Sequence, residues 1–227
     1  TANFNTRHVG INKTISGSIS GASSGNYNLT VISNSDISAL NITGYSQNKV
    51  YNRLTNASVE LPDIIDIDNS GVIITANANF SNRDVSSNVP VSGSLVGTYA
   101  SNYTVTFTTA NITRKPLTAQ AHDKVYNNNT YTTFQLYGVI SPDDVDASGS
   151  YNTPYVDTNK ASTAILIGSS ANNYSLSNSD ISGGSVTVKS ITGTGINKIY
   201  NRSVFADVSL NDVESNDLSS VGCDASF

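Results

Sequence analysis

The 227-residue chain has no methionine, no tryptophan and one cysteine, Cys223. A single thiol cannot build a disulfide framework within the chain. Lying in DLSSVGCDASF, it reads as a small buried hydrophobe on a strand. Glutamate is almost missing too, with only Glu60 and Glu214, whereas there are 19 Ile, 20 Val and 23 Thr against 11 Leu. Strand-favouring side chains therefore dominate and helix formers are scarce, which predicts an all-β chain. Two histidines occur, His8 and His122, and neither recurs at a matching place elsewhere in the sequence. Without a nucleophile elbow or an oxyanion motif beside them, no nucleophile, base and orienting group can be picked out, and the chain does not read as an enzyme. No apolar run approaches the roughly 20 residues of a membrane-spanning helix. The opening residues TANFNTRHVG lack a signal-peptide pattern, and with the absence of methionine they suggest an internal or processed segment. The 12 Lys and Arg are scattered singly in a chain of net charge -5, so no basic stripe exists to neutralise phosphates and nucleic acid is not an expected partner.

What the chain does contain is Asn, Ser, Thr, Gly and Asp in abundance, residues that make turns because they tolerate positive φ or hydrogen-bond their own backbone. The hydrophobic fraction is 37%, with 12 Tyr and 6 Phe. That is enough for several small cores and too sparse for one large one. The string Lys-(Val/Ile)-Tyr-Asn begins at Lys49, Lys124 and Lys198, spaced by 75 and 74 residues. Asn-Tyr followed by a polar, an aliphatic and a hydroxyl residue recurs at Tyr27, Tyr103 and Tyr174. An aromatic marker recurs at Phe4, Phe80, Tyr151 and Phe227, with valine five residues on at Val9, Val85 and Val156. Self-similarity at one period is the signature of a repeat architecture.

These phases divide the chain into residues 1–42 (second half of a repeat), 43–115 and 116–189 (complete repeats), and 190–227 (first half of a repeat). The predicted fold is a tandem series of small β-domains, each a sandwich or a β-grasp-like unit, in an elongated rod. In the second complete repeat the strands read LTAQAHDKVYN, TTFQLYGV, VDASGSY, ASTAILIG, NYSLS and GGSVTVKSI, broken by turn residues. Any helix would fall near Ser141 to Asp146. Alternation places Lys124 and Tyr126 on one face and Val125 on the other, towards the core, with Val50 and Ile199 in the matching positions. The phase-locked Tyr51, Tyr126, Tyr200, Tyr27, Tyr103 and Tyr174 are assigned to packing, and the non-recurring Tyr131, Tyr137 and Tyr155 to the surface. Pro116 suits a strand edge, and Gly193, Thr194 and Gly195 suit a hinge.

On these markers the sequence resembles the YDG/MBG-type repeats found in tandem in large bacterial surface proteins, including filamentous-haemagglutinin-like exoproteins. The opening segment matches at Lys124, Val125, Tyr126 and Thr130, and the second at Gly138, Val139, Asp143, Asp144 and Val145. The closing segments match at Phe4, Val9, Gly10, Gly25, Asn26, Tyr27 and Leu29. The chain departs from the family pattern after the box tyrosine: Asn52, Asn127 and Asn201 stand for Asp, followed by Arg or Asn where Gly is common. The resemblance implies an extracellular, cell-surface stalk that projects a distal binding region, with no catalytic residues and no cofactor. It implies no particular ligand.

Other motifs have simpler readings beside the functional ones. Asp66, Asp68 and Ser70, with Gly71, look like the first half of a calcium loop. The bidentate Glu expected further on is missing, and Asn77 stands there, so an Asx turn explains them as well. Ten Asn-x-Ser/Thr sequons occur, among them Asn28, Asn56, Asn102, Asn111, Asn173 and Asn201, and composition alone accounts for about seven. The recurring lysine invites an isopeptide bond to Asn, but that needs a buried carboxylate, and lysine stems lying along a tyrosine face are the plainer account. The leading expectation is a non-catalytic spacer whose partners are the neighbouring repeats of its own chain. The alternatives are a polymerising filament subunit that binds copies of itself and a repeat that binds host or surface glycans through exposed aromatics.

Overall fold

A computed structural model describes residues 1–30, 32–65 and 73–226. The possible calcium ligands Asp66, Asp68 and Ser70 lie outside the described residues. The chain is all-β, with short 3-10 turns as its helical elements. It divides into two compact units, Thr1–Thr113 and Arg114–Phe227. No helix among the described residues is long and apolar enough to cross a membrane.

In the first unit, Leu40–Ser46 pairs in parallel with Tyr103–Phe107 and antiparallel with Val59–Glu60. A second sheet orders Val91–Val96, Thr75–Phe80 and Asn56–Ala57. A third places Ala110–Thr113 between Ser86–Val89 and the box strand Lys49–Val50. The second unit repeats this order of pairing, with the long parallel pair split into two. Lys115–Pro116 and Thr118–Ala121 pair in parallel with Tyr174–Ser175 and Ile181–Ser182, and Phe134–Tyr137 lies antiparallel to Thr118–Ala121. Asp146–Tyr151 lies between Tyr131–Thr132 and Ser162–Ile167. Gly184–Thr187 lies between Asp157–Lys160 and the box strand Lys124–Val125.

The parallel pairs join strands about 60 residues apart, from the two ends of one repeat, so neither end of a repeat is complete without the other. Around Ser86–Val89 and Asp157–Lys160 the register shifts, and the extra residue is Asn88 or Asn159, with φ 52° and 50°. Gly10–Lys13 has the same bulge, with Asn12 at φ 53°. Asparagine is among the few side chains that enter the left-handed region readily, so these bulges have a local sequence cause.

Among the described residues, small clusters of buried side chains form within each complete repeat. The first gathers Ile42, Ile64, Ile74 and Tyr103, and the second gathers Ala119, Ala121, Phe134, Ala147, Tyr151 and Val186. Alanines beneath Phe134 and Tyr151 leave room for the rings, so large and small side chains interdigitate.

Several expectations are corrected here. Val50, Val125 and Ile199 face solvent, with 50%, 55% and 91% of their surface exposed, while Tyr51 is buried and Tyr126 half-buried. The inner face of the box strand is therefore the Lys/Tyr face, because Tyr has the larger surface to bury and the Lys stem packs beside it. Tyr27 and Tyr200 are exposed, 73% and 84%. Tyr51 and Tyr126 each donate a backbone N–H to Thr113 or Thr187, some 60 residues further on, whereas no strand forms at 198–200. The strand of Tyr103 likewise pairs with one 63 residues before it, whereas Tyr27 lies outside any strand. Cys223 is exposed and outside any strand. No helix forms over 141–146, where the chain makes a turn, and Gly193, Thr194 and Gly195 lie within the strand Thr192–Gly195, paired with Val208–Asn211.

Candidate functional site

The Lys-(Val/Ile)-Tyr-Asn box folds in the same way three times. Lys49 Nζ donates to the carbonyl oxygens of Leu54 (2.7 Å) and Asn56 (3.1 Å). Lys124 Nζ donates to those of Asn129 (3.0 Å) and Tyr131 (2.9 Å), and Lys198 Nζ to those of Ser203 (2.7 Å) and Phe205 (2.5 Å). In each copy the acceptors lie five and seven residues beyond the lysine. The turn that follows the box is thus capped by a charged donor, the stronger kind of hydrogen bond. Desolvation in this position holds the Lys49 and Lys124 ammonium groups below the ordinary lysine value.

The residues that depart from the family pattern make the same turn. Arg53, Asn128 and Arg202 adopt φ of 65°, 54° and 61°, the left-handed region for which Gly is the usual choice. Asn52 and Asn201 close Asx turns by accepting the N–H of Leu54 (3.1 Å) and Ser203 (3.0 Å) through their side chains. An Asn side chain accepts these bonds as Asp would, so the exchange leaves the turn intact.

The Asn-Tyr marker also has a repeated role. Tyr103 Oη accepts the N–H of Ile65 (3.2 Å), and Tyr174 Oη accepts that of Ile140 (3.1 Å) while donating to Asp143. In both complete repeats a buried phenol thus accepts one backbone N–H, that of Ile65 or of Ile140.

Within the second unit, residues 190–227 are joined to the complete repeat through the box tyrosine. Tyr126 donates to Asp217 Oδ2 (2.7 Å), Asn128 Nδ2 donates to Asp217 Oδ1 (3.0 Å), and Lys189 pairs with Glu214 (2.5 Å). Beneath these contacts lies a cavity of about 210 Å³ walled by Val156, Val188, Ile191, Val213 and Val221. The hydrogen bond to Asp217, then desolvation and the charges of Asp217, Tyr155 and Glu214, push the Tyr126 phenol up to about 12.

The first unit has a counterpart with different chemistry. Val9 N–H donates to Asn102 Oδ1 (3.0 Å), His8 Nδ1 lies 3.1 Å from Asn102 Nδ2, and the His8 ring stacks on Tyr99 at 5.1 Å between centroids. Arg7 lies over the same Tyr99. Sequence reasoning missed both joints. Their residues are single polar side chains on different repeats, and the one local signal was the Asn of the Asn-Tyr marker.

Of the sequons, Asn28, Asn56 and Asn201 are exposed, Asn102 and Asn111 are half-buried, and Asn173 is buried. The Oδ1 atoms of Asn102 and Asn111 are engaged, accepting the N–H of Val9 (3.0 Å) and of Asn88 (2.8 Å). His122 Nδ1 lies 2.9 Å from Thr133 Oγ1, and its carbonyl oxygen accepts the Tyr151 hydroxyl (2.6 Å). Among the described residues, no three His, Cys, Asp or Glu side chains come together as a metal site. Tyr131, Tyr137 and Tyr155 are exposed and lie on separate segments. No family model, curated protein or solved structure matches the chain.

Proposed function

We propose that this chain is a non-catalytic, structural stretch of tandem β-repeats in an extracellular bacterial surface protein, where it spaces a distal binding region from the cell. The observation that carries this reading is the box turn, with its lysine bonded to the same two carbonyl positions in three copies. The recurring residues are spent on turns, cores and the contacts between successive repeats. This is what a repeat array needs, because each repeat is stabilised by its own core and by its neighbours. The resemblance to YDG/MBG-type repeats points the same way and supplies the cell-surface setting.

Mass spectrometry of the protein purified from its native source, intact and after digestion, tests the proposal. A parent polypeptide of many such repeats, accessible to protease on whole cells, is the expected result. A mature chain of only a few repeats recovered from large assemblies would overturn it in favour of a polymerising subunit. The same spectra report any hexose on Asn28, Asn56 or Asn201.

A further inference from the structure

Asn102 sits between two groups whose hydrogen-bonding demands are linked. Its Oδ1 accepts the Val9 backbone N–H at 3.0 Å, and a backbone N–H is always a donor, so the amide cannot be turned the other way. Nδ2 is therefore the atom that faces His8 Nδ1, at 3.1 Å. Since Nδ2 can only donate, Nδ1 must accept, which requires the neutral imidazole with its hydrogen on Nε2. The side chain of Asn102 thus selects one protonation state of His8.

We propose that His8 is a proton-sensitive latch that holds residues 7–9 on the turn at Tyr99–Asn102 within the first unit. With the imidazole neutral the latch is closed. A proton added at Nδ1 removes the acceptor that His8 offers to Asn102 Nδ2 and sets two N–H groups against each other. Among the described residues, the charged and titratable groups recorded beside His8 are Arg7, its chain neighbour, and Tyr99, on which it stacks. The Tyr99 face attracts an imidazolium. Arg7 already lies over that ring, 5.6 Å from its centroid. The proton therefore opens the contact at Asn102 and leaves the stacking on Tyr99 in place, and Val9 loses its fixed acceptor as Asn102 turns. The inference rests on the geometry at Asn102 and not on the adhesin reading.

The test is NMR on the full 227-residue chain labelled with nitrogen-15, following the His8 ring nitrogens and the Val9 amide across pH 5 to 8. At the upper end Nδ1 should carry no hydrogen. The Val9 amide should lose its hydrogen-exchange protection with the same midpoint as His8 protonation. In His8→Gln the side-chain carbonyl oxygen still accepts from Asn102 but cannot titrate, so Val9 should stay protected throughout. His122→Gln should leave the transition unchanged. A Val9 amide indifferent to His8 titration, an Nδ1 protonated at high pH, or a transition that survives in His8→Gln would each overturn the proposal.

Discussion

Tyr126 donates its phenolic hydrogen to Asp217 at 2.7 Å, across 91 residues of sequence, and this bond ties residues 190–227 to the repeat before them. A carboxylate accepting from a phenol stabilises the protonated phenol and repels its anion, so ionisation of Tyr126 is pushed up to about 12 from 10.0. Because the folded value is the raised one, the stability it confers is fully present below the ordinary phenol value. It is lost as pH rises through the folded value. Ultraviolet titration of the tyrosines should show a late-ionising phenol that returns to the common range in Asp217→Asn. A titration curve identical in the two proteins would rule this out.

The lysine brace makes a stability prediction. Lys124→Met keeps the apolar stem and removes the three bonds from Nζ to Asn129 and Tyr131. Loss of charged bonds to carbonyls in a half-buried turn should cost about 1–3 kcal/mol, read as a lower urea midpoint at unchanged slope. Lys49→Met should act similarly on the first unit. Midpoints equal to that of the parent chain would mean that water replaces the lysine at no cost.

Arg202 offers the opposite case. It occupies φ 61°, where an L side chain costs about 1–2 kcal/mol and Gly does not, against a chain-entropy cost for Gly of about 0.5–1 kcal/mol. Arg202→Gly should therefore raise the melting temperature slightly, and Arg202→Val should lower it clearly, since a β-branched residue fits that conformation worst. A stabilising valine would refute the strain argument.

Lys160 is only 4% exposed, and its Nζ donates to Thr153 Oγ1 at 2.8 Å. The matching position in the other complete repeat, also the last residue of its strand and also after a left-handed Asn, is the buried Val89. Replacing a buried charge with an apolar residue that its sibling accommodates should be neutral or stabilising, by up to about 2 kcal/mol. Chemical denaturation of Lys160→Val measures this. A loss of 2 kcal/mol or more would show that the ammonium has a structural role beyond its contact with Thr153.

What could be read from the amino acids alone was everything with a local cause. The β class follows from Ile, Val and Thr. The period follows from the Lys-(Val/Ile)-Tyr-Asn boxes, and the exposure of Tyr131, Tyr137 and Tyr155 from their failure to recur. The box turn was visible as a recurring string, although neither the brace from lysine to carbonyl nor the left-handed Arg53 and Arg202 could be read from it.

The tertiary structure decided which face of the box strand is inside. A two-residue strand such as Lys124–Val125 carries no alternation of its own, and its orientation is set by Gly184–Thr187, some 60 residues away. The same holds for Tyr27 and Tyr200, whose motifs match those of buried or half-buried tyrosines but which are exposed and outside any strand. Both joints, Tyr126 with Asp217 and His8 with Asn102, were likewise invisible to sequence reading. Turns and periods are written in neighbouring residues, whereas packing and joints depend on which distant strand closes each small sheet.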